Sequence, residues 1–161
     1  MPATLIRSTI QATIKSTLQG VTGVENVYED FPRANDVDEF IAKFMESDET
    51  NLQFWVITRI ASPPNTSENA SRIPVRSVWY NHQFDISLWY GIKTDDSETK
   101  FQALIDVVLG VFADKRTLSG CYVPVPLGLY SVRNDVKNQV QCRVASFSVV
   151  VVEQQNGLTP T

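Results

Sequence analysis

His82 is the only histidine in this chain of 161 residues, so any imidazole chemistry rests on it alone. As a general base it would need a nucleophile, and the sequence offers Cys121 and Cys142, either of which could meet it in space. Nothing flanking either cysteine supports such a dyad, and His82 falls on the apolar side of an alternating segment. That position favours a satisfied core or interface histidine. Two cysteines are too few for a secreted disulfide framework or a zinc site, and they read as buried thiols of a reducing compartment. The acidic pairs Asp48-Glu49 and Asp95-Asp96 have the chemistry of a hard-cation site or of paired carboxylates. A solvated turn accounts for the first pair and helix capping for the second. The seven glycines are scattered, with no nucleophile elbow, Walker loop or dinucleotide-binding pattern among them. The sequence therefore predicts no catalytic residue, no cofactor and no metal.

The remaining candidates are surface groups. Trp79 and Trp89 share one side of a strand pattern, with Asn81, Gln83, Asp85 and Ser87 between them. Such a side can stack sugar rings beside hydrogen-bonding groups, or it can form a subunit interface, where aromatics are enriched; the interface is the favoured expectation. Arg33, Arg59, Arg72 and Arg76 lie in or beside loops and suit contacts with an acidic partner, although solvated surface arginines would look the same. Fourteen basic against eighteen acidic residues give a net charge of −4. A chain that repels phosphate on average is a poor free-standing nucleic-acid binder.

These groups have to be held by elements that the periodicity reveals. Ile6, Ile10, Ile14 and Leu18 recur every fourth residue, which predicts an amphipathic helix between Pro2 and Gly20. A short strand is expected between Val21 and Phe31, and a second helix from Asp36 to Met45. Leu52, Phe54, Val56, Thr58 and Ile60 alternate with their neighbours as a strand does. Residues 62–76 are rich in Pro, Ser and Asn and predict a flexible loop. From Val78 to Tyr90 the alternation is strict, and a straight strand over 75–92 would span about 59 Å. A lone domain of this size has a radius of gyration of about 15 Å, so the strand is expected to bend or to project as an arm. Phe101, Leu104, Ile105, Val108, Leu109 and Phe112 mark the longest helix. Strands at 122–132, interrupted by Pro124 and Pro126, and at 140–153 follow, with a mobile tail over 154–161.

The order predicts one α+β domain over 1–161: a mixed, largely antiparallel sheet with two or three helices packed on it, and a long strand or hairpin arm projecting. The run Val149-Val150-Val151-Val152 is apolar on both sides, so Val149 and Val151 join the candidate interface residues. No apolar run approaches the length of a membrane span, and the N-terminus lacks the unbroken stretch of a signal peptide. A soluble cytoplasmic chain without membrane partners is expected.

In size, element order and local pieces, the chain resembles the tail terminator (tail completion) proteins of long-tailed bacteriophages. The pieces are the helix LIRSTIQATIKSTL leading into GVENVYEDFPR, a polar loop interrupting long strands, the helix SETKFQALIDVVLGVF and the β-rich end CRVASFSVVVVEQ. The resemblance implies a non-enzymatic virion subunit that assembles in the host cytoplasm into a homo-oligomeric, hexameric ring on the tail tube. The ring would stop tube polymerisation and offer a surface to a head-completion or connector protein, with DNA only passing through its lumen. By position, 62–76 and the strand from Val78 to Tyr90 correspond to parts that reach neighbours in that family. The alternatives are another head-to-tail connector or neck protein, a glycan-binding module using Trp79 and Trp89, and a small hydrolase using His82 with a cysteine.

Overall fold

The computed structural model describes residues 7–47, 51–64, 77–93 and 95–156. Helix α1 (Arg7–Gln19) is followed by strand β1 (Val27–Tyr28), α2 (Val37–Phe44), β2 (Gln53–Ala61), β3 (Ser77–Gly91), α3 (Ser97–Ala113), β4 (Thr117–Leu118), β5 (Cys121–Lys137) and β6 (Val140–Asn156). The class is α+β, as the periodicities predict.

Among the described residues, six strands form one sheet in the order β1-β2-β3-β6-β5-β4, in which only the short β1–β2 pair is parallel and every other pairing is antiparallel. Strands β3, β5 and β6 contain 15, 17 and 17 residues, so the sheet is about 55 Å long. β3 does not stand alone, because β6 accompanies it from Ser77↔Asn156 to Gly91↔Cys142. β5 and β6 form a hairpin closed by Asn138 and Gln139, whose φ angles of 46° and 64° give the handedness that suits a two-residue turn. The expected polar tail begins too early, since Gln154, Gln155 and Asn156 belong to β6. β5 also runs five residues beyond the expected Val132. Three register shifts, all between Tyr122 and Ser131, mark bulges around Pro124 and Pro126.

Helices α1 and α3 cover one side of the sheet. Ile10, Ile14 and Leu18 from α1 and Phe101, Ile105, Val108 and Phe112 from α3 pack on Trp55, Phe84, Ile86, Leu88, Tyr90 and Phe147, all of them buried. Gln11 Nε2 fastens α1 to the sheet by donating to Glu29 O at 2.6 Å and Ile57 O at 2.9 Å. α2 covers one end of the other side. Its N-cap Asp36 accepts from Glu39 N at 2.8 Å, and the Glu39 carboxylate accepts from Asn35 N, so the first turn is well closed. Phe40 and Phe44 then meet Leu52, Phe54, Val56, Trp89 and Val144 in a second, smaller core.

Candidate assembly surface

The sheet places the predicted residues in three different settings. Val149 and Val151 are 1% and 0% exposed, within the core beneath α1 and α3. The expectation that they meet a neighbour is corrected: the chain's own helices cover them, and only Val150 and Val152, on the opposite side, are half-buried. Trp89 is likewise a packing residue. Its ring stacks on Phe54 at 5.6 Å and meets the edge of Phe31 at 5.5 Å, under α2. Trp79 lies on the same side of β3 but ten residues away, about 33 Å along the strand. The two tryptophans cannot hold one sugar ring between them.

Arg33 is exposed in the connection from β1 to α2, where its carbonyl accepts from Lys43 Nζ at 2.9 Å. Arg59 is exposed on β2 beyond the point where β1 pairs with that strand. Arg72 and Arg76 lie outside the described residues, as does most of 62–76.

His82 meets neither cysteine. Its Nδ1 is 2.9 Å from Ser62 Oγ and its Nε2 is 2.7 Å from Glu153 Oε2, while the Tyr80 ring lies parallel to the imidazole. The residue types of a hydrolytic relay are thus in a row, yet the imidazole is 0% exposed, so no substrate atom reaches it in this arrangement. The three groups join the end of β2, β3 and β6 instead. Burial pushes the Cys142 thiol up to about 11, helped by the Asp135 carboxylate, and burial followed by Glu153 raises the Cys121 thiol. Both cysteines are free and buried, which makes them poor nucleophiles. No group of three or more His, Cys, Asp or Glu side chains is arranged to hold a metal among the described residues. No helix among them is long and apolar enough to cross a membrane.

What the fold leaves open is sheet. On the side that α2 only partly covers, the cross-strand row Thr58–Asp85–Ser148–Gly128 is half-buried or exposed along its whole length. Among the described residues, β2 has no outer strand partner beyond Val56 and β5 none beyond Tyr122. Exposed apolar groups lie on or beside these margins: Ile60 at 52%, Tyr122 at 55% and Val136 at 61%. Tyr122 and Val136 were not singled out from sequence. The signal available was the alternation of β5, which its prolines and the charged RNDVK segment interrupt.

No family model matches the sequence, and no curated protein matches it. A solved structure does: a chain of the virion of a native gene transfer agent particle, with a TM-score of 0.50 over 94% of this chain and 100% of that one. The two are 14% identical, so the likeness lies in the fold.

Proposed function

We propose that the chain is a structural subunit of a phage-like virion, and that it caps the tail tube as a homo-oligomeric ring, in the manner of the tail terminators it resembles. The observation that carries this reading is the likeness in fold to a virion chain over the full length of that chain. The sheet supports it independently. Its two open margins, β2 beyond Val56 and β5 beyond Tyr122, lie on opposite sides of the subunit and differ in sequence, so contact between them is head-to-tail, and head-to-tail contacts close into rings when the rotation allows.

In this reading the subunit works by shape. Arg33, Arg59 and Trp79, with Arg72 and Arg76, contribute to contacts with the next copy, the tail tube protein or the head-completion protein. A net charge of −4 suits a lumen through which DNA slides without being held. Six copies would make the ring, the number implied by the resemblance.

Electron microscopy of the protein alone and mixed with tail tubes tests the proposal. Rings at tube ends, and tubes that stop elongating on addition of the protein, are expected. Binding along tube walls, or tubes that grow unchecked in its presence, would overturn it.

A further inference from the structure

β6 outruns β5. The last β5–β6 pair at that end is Tyr122↔Val152, yet β6 continues through Glu153, Gln154, Gln155 and Asn156 with β3 alone beside it among the described residues. A notch of about 450 Å³ opens there, between the Ser119-Gly120 turn, Trp79, Tyr122 and the β6 residues 152–154. A strand edge of this kind presents main-chain donors and acceptors at the spacing an added strand needs.

The side chains say what kind of strand fits. Trp79, paired with Gln154, and Tyr122, paired with Val152, stand on the open side of the sheet and both line the notch. Glu153 stands on the helix-covered side. It is 6% exposed, its Oε2 is on His82 and its Oε1 accepts from Gln155 Nε2 at 3.3 Å. Among the described residues, no lysine or arginine lines the notch. A buried carboxylate in such a place attracts a cation, while the aromatic faces on the opposite side of the sheet suit apolar groups.

We infer that the notch where β6 outruns β5 is the docking site for an extended segment of another protein, one carrying a lysine or arginine flanked by apolar residues. Added as a strand in line with β5, such a segment directs alternate side chains to the two sides of the sheet. Its basic group meets Glu153, and its apolar neighbours meet Trp79 and Tyr122. The site stands apart from the capping reading, because peptide binding by the subunit and the arrest of tube growth are separate measurements.

The test titrates the full-length protein with the blocked pentapeptide Val-Lys-Val-Lys-Val and its Val-Glu-Val-Glu-Val analogue, following tryptophan emission. Trp55 and Trp89 are 0% and 9% exposed, so Trp79 reports the notch. The lysine peptide is expected to bind at least tenfold tighter than the glutamate peptide, and Glu153→Gln to remove that preference. Since Glu153 also holds His82, Tyr122→Lys provides a second variant at an exposed position, and its added ammonium is expected to weaken the lysine peptide at least tenfold. Equal binding of the two peptides, binding of neither, or a preference that survives both substitutions would sink the inference. So would self-association that Tyr122→Lys abolishes while no peptide binds, since the occupant would then be a second copy.

Discussion

His82 and Glu153 meet diagonally across the β3–β6 ladder, where His82 pairs with Val151, with 2.7 Å between Nε2 and Oε2 and side-chain exposures of 0% and 8%. A close polar pair at that depth has no water to replace either member. His82→Ala is expected to destabilise the fold by about 3–5 kcal/mol, because it strands a buried carboxylate. Replacing both members with apolar residues, His82→Phe with Glu153→Leu, should cost less than the single change. Urea unfolding of the two variants checks the order; a double variant worse than His82→Ala would show that the pair is held by more than mutual need.

Gly91 is fixed by its neighbour. A Cβ there would lie 2.5 Å from Asn51 Oδ1, and that oxygen is committed to Leu52 N while Asn51 Nδ2 donates to Gly91 O at 2.8 Å. Gly91→Ala is expected to cost about 1–3 kcal/mol through overpacking. Adding Asn51→Ala should cost less than the sum of the two single changes, because the clash disappears with the amide. Additive losses would rule that out.

The thiols give the fold a dependence on alkaline pH. Cys142 is raised in the folded state to about 11 from an ordinary value of 9.0, so the unfolded chain loses this proton first. Its contribution is fully present below pH 9, falls as pH rises from there, and is spent above about pH 11. Urea midpoints are expected to drop from pH 8 to pH 10, with a shallower drop in Cys142→Ala. Both cysteines should resist a thiol reagent at pH 8 until the protein is unfolded.

The hairpin turn is strained by its second residue. Gln139 sits at φ 64°, a conformation glycine adopts at little cost, and Asn-Gly is the preferred pair for such turns. Gln139→Gly is expected to raise stability by up to about 1 kcal/mol, read as a higher melting temperature with no change in far-ultraviolet circular dichroism.

Much of this architecture was legible in the spacing of apolar residues. Ile10, Ile14 and Leu18, every fourth residue, are all fully buried, and His82, Phe84, Ile86, Leu88 and Tyr90, every second residue, all face the main core. The pattern names which side is covered but not by what. That is why Val149 and Val151, read as needing a neighbour, lie under the chain's own helices. The end of β5 beyond Val132 escaped notice because Arg133, Asn134, Asp135 and Lys137 have no strand propensity to advertise; the ladder to β6 holds them there. The Ser62–His82–Glu153 row joins residues 20 and 71 positions apart, and no local pattern encodes such a meeting. Gln53 was equally silent, although its buried amide binds Glu25 N, Trp55 Nε1, Gly23 O and Glu46 Oε1.

The strand at the middle of the sheet is also the last in the chain: β6 lies between β3 and β5 and follows both. During synthesis β3 (to Gly91) waits beside a vacant slot until β6 has been made through Asn156, 65 residues later, and closing so wide a loop is slow compared with forming helices. The nascent chain thus passes through a period in which its most hydrophobic ladder is half built and prone to pair with the wrong neighbour. Chaperone demand during translation should concentrate in that interval and end when the C-terminal strand slides home.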